Sequence, residues 1–260
     1  MKKIVVANLK MNIVLKFEVD NWINRFSQQK QNISFSKVEI VVCPSLIYLS
    51  AFIDKLKSSG TVIGAQDCFW ERKGSYTGSS SATSIKSLGG EYVILGHSER
   101  RKYVGETDDL ISLKLKTSTN VGLKSILCVG EMAEERQKDL TGQVLKEQLD
   151  GCLNDFPQGQ LNRLLICYEP VWAISSNNPI SSPTADEIMT ARLMIKKILV
   201  KKYGANLVDK VKILYGGSVN QRNVEEICLN TGMDGVLVGK ASLVPAEFIG
   251  IVKKVEENCL

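Results

Sequence analysis

The sequence has few of the residues that metal centres and disulfide frameworks require. It contains one histidine, His97, among 260 residues, and its seven cysteines include no Cys-x-x-Cys pair. An odd number of cysteines, most of them in apolar runs, favours buried reduced thiols over disulfide bonds or zinc ligation. We therefore predict a protein of a reducing, cytoplasmic compartment with no metal site.

Long apolar runs are also missing. No stretch reaches the ~18 apolar residues that a membrane-spanning helix needs, so we predict no membrane partner. The apolar run within residues 1–10 is interrupted at Asn8 and Lys10, which is too early for the core of a signal peptide. We interpret this segment as a first strand. No Gly-x-Gly-x-x-Gly follows it, so a dinucleotide-binding crevice has no support.

The charge of the chain is only mildly positive. The net charge is +5, and the lysines are spread over many segments without interleaved aromatic residues. A nucleic-acid interface needs a concentrated basic stripe, so we predict solvated helix faces and no nucleic-acid partner. A modest positive charge still helps to attract a small anionic substrate.

Short apolar runs recur along the chain and alternate with amphipathic stretches. Because each run is nearly continuously apolar, it suits a strand that is buried on both faces. A helix is expected after Ser182, with this serine as the N-cap and Pro183 at the first helical position. The eight predicted strands are Ile4–Asn8, Val38–Cys43, Val62–Gln66, Tyr92–Gly96, Ser125–Val129, Leu164–Tyr168, Val211–Tyr215 and Gly235–Val238.

Eight strand–helix alternations without an intervening linker favour one α/β architecture. We predict a single domain over residues 1–260, a closed (β/α)8 barrel of eight parallel strands. A doubly wound open sheet is the main alternative.

Catalytic groups of such barrels lie at the carboxyl ends of the strands, and this rule brings four polar residues together. They are Asn8 and Lys10 after strand one, His97 after strand four and Glu169 after strand six. A carboxylate beside bulky apolar residues is partly desolvated and is therefore a stronger base. A lysine and an imidazole can stabilise the oxygen of a reacting carbonyl. The set suits proton abstraction next to a carbonyl group.

Glycine-rich segments after strands seven and eight predict a phosphate site. Residues 215–218 read Tyr-Gly-Gly-Ser, and residues 239–242 read Gly-Lys-Ala-Ser. We expect each segment to open a short helix, where exposed backbone N–H groups bind phosphate. The loops after strands seven and eight are the usual place for such a site in a barrel.

Six segments in this order and spacing resemble the triosephosphate isomerase family along essentially the whole chain. They are residues 7–12 (ANLKMN), 96–101 (GHSERR), 128–131 (CVGE), 168–174 (YEPVWAI), 215–218 (YGGS) and 237–239 (LVG). The resemblance implies a TIM barrel that interconverts dihydroxyacetone phosphate and D-glyceraldehyde 3-phosphate in glycolysis and gluconeogenesis, without a cofactor or metal. A glutamate base, a neutral histidine and a closing loop of this enzyme are a worked example of such a site.

The resemblance also implies residue roles. Glu169 is expected to move the proton between two carbons, and His97 to polarise the carbonyl as a neutral ring. Lys10 would bind the substrate anion and stabilise the enediolate, and Asn8 would orient the substrate oxygens. Ser98 would hold the base at rest. The remaining implied roles belong to Glu99 as a nearby acid, Tyr215 as a latch for the closing loop, and Ser175, Ser218, Gly239 and Lys240 as the phosphate site.

Three segments depart from the family pattern. Loop 175–182 lacks the usual glycines and gains Pro179, which fixes φ and removes an N–H, so we expect altered loop closure. Lys240 stands where the family commonly has glycine, either as an added charge at the phosphate or with its side chain in solvent. Loop 66–80 resembles the loop through which family dimers interlock, but Ser79 replaces the usual glutamate. A homodimer through this loop is still the expectation.

Two other functions stay open from the sequence. One is a phosphosugar-binding paralogue with impaired catalysis, suggested by the atypical loop 175–182. The other is a different phosphosugar enzyme on a barrel, such as an aldolase or an epimerase. A lysine-type aldolase needs a lysine at the end of a middle strand, whereas strand six offers Glu169.

Overall fold

Eight parallel strands close into a barrel in which each strand pairs with the next, and the last pairs with the first. The computed structural model describes residues 2–174 and 182–257. The strands are β1 (Lys3–Asn8), β2 (Val38–Cys43), β3 (Val62–Ala65), β4 (Tyr92–Leu95), β5 (Lys124–Val129), β6 (Leu164–Tyr168), β7 (Lys212–Tyr215) and β8 (Gly235–Val238).

The predicted (β/α)8 barrel is therefore confirmed, and each predicted strand end lies within one residue of the observed end. The pairing that closes the barrel, with Ile4 opposite Gly235, excludes the open doubly wound sheet. A Cβ atom on Gly235 would lie 1.9 Å from the carbonyl oxygen of Ile4. The seam between β8 and β1 therefore requires a glycine at this position.

Helices follow the strands and cover the outside of the barrel. They are α1 (Lys16–Gln29), α2 (Leu49–Leu56), α3 (Ala82–Leu88), α4 (Ser98–Val104), α5 (Asp108–Asn120), α6 (Ala133–Gln137), α7 (Thr141–Cys152), α8 (Ala185–Tyr203), α9 (Ala205–Val208) and α10 (Pro245–Glu257). A π-helix spans Glu225–Asn230. The 3₁₀ turns are Lys30–Asn32, Leu46–Tyr48, Lys57–Ser59, Gln158–Arg163, Val171–Ala173 and Lys240–Leu243. None of the described helices is both long and apolar enough to cross a membrane.

Successive residues of each strand point to opposite faces and so contribute to two apolar layers. One layer packs strands against helices, for example Val5 and Ala7 of β1 with Trp22 and Phe26 of α1. The other contains only strand residues and fills the barrel interior: Ile4, Val6, Val41, Cys43, Val62, Tyr92, Ile94, Ile126, Cys128, Leu165, Cys167, Leu214 and Leu237. Because both faces of each strand are buried, the continuous apolar runs of the sequence are explained.

The start of α8 differs from the expectation. The N-cap is Thr184 rather than Ser182, and Pro183 precedes the helix instead of opening it. Thr184 Oγ1 accepts the N–H of Glu187 at 3.3 Å, and Glu187 Oε2 accepts the N–H of Thr184 at 2.8 Å. This reciprocal capping box satisfies two backbone donors. Ser182 cannot form one, because it has no carboxylate three residues later.

We expect Thr184→Ala to lower the free energy of unfolding by about 1 kcal/mol, because an unsatisfied helix N-terminus results. Denaturant unfolding at a fixed protein concentration measures the change. Thr190→Ala, an exposed substitution within the same helix, should stay within about 0.5 kcal/mol of the parent. Equal stability of both variants would contradict the role of Thr184.

Candidate active site

The loop after β1 presents Lys10 at the carboxyl end of the barrel. Lys10 has a φ of 51°, a left-handed conformation that is strained for a residue with a side chain. Asn8 Oδ1 accepts the Lys10 N–H at 3.1 Å. Gln66 Nε2 donates to the carbonyl oxygens of Lys10 and Cys43, each at 2.9 Å. These bonds hold the strained backbone, and Gln66 is a positioning residue that the sequence analysis missed.

The Lys10 side chain is anchored by an acid. Its Nζ atom lies 2.5 Å from Glu99 Oε1. The resemblance to the family implied an acid at this place, near Lys10 and His97. A Cβ atom on Gly239 would lie 3.5 Å from Cε and 3.9 Å from Nζ of Lys10. The ammonium group therefore lies beside the predicted phosphate segment after β8.

His97 is the N-cap of α4, at the end of β4. Its Nδ1 atom accepts the backbone N–H of Glu99 at 3.2 Å, as an N-cap acceptor does. In a neutral ring the proton is therefore assigned to Nε2, because Nδ1 is used as an acceptor. Nε2 lies 3.3 Å from Glu169 Oε1. The imidazole thus presents an N–H donor towards the carboxylate at the end of β6.

Glu169 is buried, with only 1% of the residue exposed. Its backbone N–H donates to Val129 at 2.8 Å, which extends the ladder between β5 and β6. Oε2 accepts the backbone N–H of Ser98 at 3.3 Å. Oε1 is near His97 but has no well-aligned hydrogen bond among the described residues. A buried carboxylate oxygen without such a bond is costly to maintain and is available to take a proton.

Glu131 holds the segment that follows Glu169, a role that the sequence analysis did not assign. This fully buried carboxylate accepts hydrogen bonds from Trp172 Nε1 at 2.9 Å and from Tyr168 Oη at 3.1 Å. Burial raises the pKa of Glu131, and the bonds from Trp172 and Tyr168 oppose this shift. The Val171 N–H also donates to its carbonyl oxygen at 3.0 Å. The signal available in the sequence was an acid directly after the end of strand five.

A cavity of about 330 Å³ opens beside these groups. Its lining includes Lys10, Asn12, His97, Gly216, Gly239 and Lys240. Three of the predicted catalytic residues thus meet here, since Glu169 contacts His97 beneath the lining. Asn8 is buried behind Lys10.

The other predicted phosphate and latch residues have different surroundings. The Ser218 hydroxyl donates to the Ala173 carbonyl at 2.8 Å, so it binds the segment that precedes the closing loop. The Tyr215 hydroxyl is buried and has no hydrogen-bond partner among the described residues. Ser175 and the remaining atypical loop residues up to 181 lie outside the described residues.

One of the two predicted short helices is present. A 3₁₀ turn begins at Lys240, directly after Gly239. The short helix expected to open from residues 215–218 is not observed: residues 217–218 form bends, and the next helix begins only at Glu225. Asn220 Oδ1 instead accepts the N–H groups of Arg222 and Asn223, at 2.8 and 3.2 Å, and such side-chain bonds favour a turn over a helix.

Gly130 sets how closely the ends of β5 and β6 approach. A Cβ atom there would lie 1.9 Å from the Glu169 carbonyl oxygen. We expect Gly130→Ala to lower the free energy of unfolding by about 1–3 kcal/mol, the usual cost of overpacking. Gly159→Ala is the control, because a Cβ atom there meets no atom within 4 Å. Denaturant unfolding of both variants checks this, and an unaffected Gly130→Ala protein would contradict it.

Comparisons with known proteins agree with this geometry. The family model described as "Triosephosphate isomerase" matches residues 3–255. The triosephosphate isomerase of Alkaliphilus oremlandii is 41% identical over 251 residues, which cover 96% of this chain and 98% of that protein. The triosephosphate isomerase of Dictyoglomus thermophilum is 38% identical over 252 residues, 97% of this chain and 99% of that protein. With the family model covering nearly the whole chain and relatives this similar over their full length, the chain belongs to the triosephosphate isomerase family.

Proposed function

We propose that this chain interconverts dihydroxyacetone phosphate and D-glyceraldehyde 3-phosphate as a triosephosphate isomerase. The observation that carries the proposal is the 3.3 Å contact between Glu169 Oε1 and His97 Nε2 beside a cavity that Lys10 lines. This places a base, a hydrogen-bond donor and a fixed positive charge around one small volume. The family name of the chain's relatives agrees with it and favours an active enzyme over a binding-only paralogue.

Glu169 is the proposed base. Its unpaired Oε1 takes a proton from the carbon next to the substrate carbonyl, and the carboxylic acid then returns the proton to the neighbouring carbon. Burial among apolar groups removes water that would otherwise solvate the carboxylate. The Ser98 N–H on Oε2 keeps the other oxygen occupied, so the proton is directed to one atom.

His97 and Lys10 are the proposed stabilisers of the negative charge that develops on oxygen. Because Nδ1 accepts from Glu99, the neutral ring gives its Nε2 proton to the carbonyl oxygen and takes back the proton of the neighbouring hydroxyl, so one proton moves between the two substrate oxygens and the ring ends neutral. The charge of Lys10 is held by Glu99 at 2.5 Å, which orients its Nζ atom. Asn8 maintains the backbone of Lys10 and so fixes the position of that charge.

The substrate phosphate is proposed to lie near Gly239, beside Lys10. The absence of a side chain at Gly239 leaves room for the ammonium group, and Lys240 lines the same cavity with an exposed side chain. Ser175 and Ser218 complete the proposed phosphate site, and Tyr215 is the proposed latch of the loop. No cofactor is required for the reaction, because every proton transfer uses a group of the chain.

A homodimer is proposed as the assembled form. Loop 66–80 is held by a bridge between Phe69 and Ser81 and by Phe69 stacked on Trp70, with ring centroids 3.8 Å apart. Large exposed apolar side chains lie in the neighbouring connections after β1, β2 and β4, including Met11 at 81%, Ile47 at 81% and Tyr103 at 70% exposure. Exposed apolar side chains in the segments after several strands suit an isologous interface between two copies. A cytoplasmic location stays a prediction.

The first test is the activity of Glu169→Gln in a coupled assay of glyceraldehyde 3-phosphate isomerisation. We expect kcat to fall by about 10²–10⁴-fold, the usual contribution of a positioned base. Glu91→Gln, at the amino-terminal end of β4 and so on the opposite face of the barrel, should keep parent activity. In deuterium oxide the parent should exchange a substrate C–H for deuterium. A folded, phosphate-binding parent that neither isomerises nor exchanges would contradict the proposal and favour the impaired paralogue.

The charge of Lys240 is tested with Lys240→Met, which keeps the backbone N–H. If the ammonium group attracts the phosphate, KM should rise by a few-fold and its dependence on ionic strength should weaken, because exposed charges are screened by salt. Lys210→Met removes an exposed lysine just before β7 and should change neither quantity. If KM of Lys240→Met equals that of the parent at all salt concentrations, the side-chain charge has no role, and only the backbone N–H of this residue could bind the phosphate.

The dimer is tested by light scattering at micromolar concentration. The parent should have twice the chain mass of 28.7 kDa, and Ile47→Asp should shift the population towards that single-chain mass because it buries a charge in the interface. Leu193→Asp changes an exposed apolar residue on α8 and should leave the mass unchanged. A monomeric parent would overturn the proposal.

A further inference from the structure

Two thiols lie directly beneath the proposed base. Cys128 of β5 and Cys167 of β6 are register partners on adjacent parallel strands. Both side chains belong to the layer that fills the barrel interior. One ligand atom each from Cys128, Cys167 and Glu169 lie within 4.8 Å of one another, and all three residues are buried. Among the described residues this is the one group with such spacing.

We infer that Cys128, Cys167 and Glu169 form a binding site for one thiophilic divalent cation of the zinc and cadmium class, with solvent in the fourth coordination position. The binding site goes beyond the proposed function, while its inhibitory consequence rests on that function. It is not a catalytic metal site, since occupancy uses the atoms that the reaction needs.

The donor set fits such a cation in type and number. Two sulfurs and one carboxylate oxygen are ligands that zinc accepts, and a site with three protein ligands holds water in the fourth tetrahedral position. Two thiolates and one carboxylate around a dication leave one net negative charge, the same as in a Cys3His zinc site. Hard cations such as Mg²⁺ prefer all-oxygen ligand sets and are not expected to bind.

The distances require only a small contraction. Zinc–ligand bonds of ordinary length hold tetrahedral ligand atoms roughly 3.3–3.8 Å apart. The two sulfurs and the carboxylate oxygen are at most 4.8 Å apart, so each pair has to approach by no more than about 1–1.5 Å. Oε1 has no well-aligned hydrogen bond among the described residues, so a cation would replace only its 3.3 Å contact with His97 Nε2.

Gly216 is the part of the cavity wall that lies against the cluster. This residue lines the cavity, and a Cβ atom on it would lie 2.6 Å from Cys167 Sγ and 3.2 Å from Glu169 Oε1. The missing side chain therefore brings the cavity wall into contact with the cluster. A cation that enters the cavity passes His97 and reaches the thiols over one glycine.

Binding releases protons. Burial raises the pKa of Cys128 well above its usual value and also raises the pKa of Cys167, so both thiols are protonated in the metal-free protein. The cation displaces the two thiol protons to solvent and forms two sulfur–metal bonds, with no change in oxidation state. A coordinated thiol is deprotonated outright, so the neutral cluster does not prevent binding.

The direct test is a titration of the reduced protein with Cd²⁺, read by the ultraviolet charge-transfer absorption of cadmium–thiolate bonds. A phosphine reductant keeps the thiols reduced, and the buffer contains no phosphate. We expect one equivalent to bind. Cys128→Ser, Cys167→Ala and Glu169→Gln should each weaken binding by more than about tenfold, since even partners beyond the ligands contribute ~10–100-fold. Circular dichroism and thermal unfolding check that each variant is folded.

Cys43→Ala is the matched control, because Cys43 lies in the same interior layer but outside the cluster. It should bind Cd²⁺ like the parent. The absence of the absorption band in the parent, or an equal band in the Cys128→Ser and Cys167→Ala variants, would overturn the proposal. Mg²⁺ at the same concentration should produce no spectral change.

A second arm separates the metal site from the proposed function. Cd²⁺ should inhibit isomerisation by the parent and by Cys43→Ala, and a chelator should restore it. Half-inhibition in Cys167→Ala, normalised to its own activity, should need more than about tenfold more Cd²⁺. An active parent that binds Cd²⁺ without inhibition would refute this location for the site. A parent that binds Cd²⁺ but never isomerises would refute the proposed function alone.

Discussion

The pairing register of β5, β6 and β7 determines where the reactive carboxylate lies. The ladder continues one residue past the strands: the Glu169 N–H donates to Val129, and the Gly216 N–H donates to Tyr168, each at 2.8 Å. Glu169 is therefore held by backbone bonds on a rigid rim rather than on a loop. Backbone placement of this kind costs no side-chain ordering at the moment of reaction, and Gly130 is the position that lets the rim close so tightly.

Around this rim, each polar group has one side occupied by the protein and one side left for a substrate. His97 uses Nδ1 on Glu99 and presents Nε2, and Glu169 uses Oε2 on Ser98 and presents Oε1. Lys10 is held in the same way by its contact with Glu99. The apolar interior beneath excludes water, so that these few charges and dipoles act in a medium of low polarity, where they are stronger than in water.

The strands and the four catalytic candidates were predictable because they depend on local pattern. Apolar runs set the strands, and strand ends set Asn8, Lys10, His97 and Glu169. What the sequence did not predict depends on pairing between distant residues. The role of Glu131 rests on bonds from Trp172 and Tyr168, and the cysteine pair rests on the β5–β6 register. The prediction of Ser182 as the N-cap of α8 was wrong for a related reason. Both Ser182 and Thr184 have a hydroxyl, but only Thr184 has a carboxylate, Glu187, three residues later.

The burial that suits Glu169 to its proposed role as base also makes it a ligand of the proposed cation site. A buried carboxylate gains basicity from surroundings of low polarity. The carboxylate oxygen of Glu169 is one ligand of the proposed soft-metal site, and the two thiols beneath it belong to the apolar layer that fills the barrel interior. Cysteine satisfies the packing as a small apolar residue, so in the metal-free protein the two thiols act only as core. A thiophilic cation changes this role, because the free energy of forming metal–sulfur bonds offsets the cost of removing the thiol protons. The ligands of the proposed site therefore reject hard cations but accept soft ones. Whether a soft cation binds then depends on its access to the cluster past Gly216.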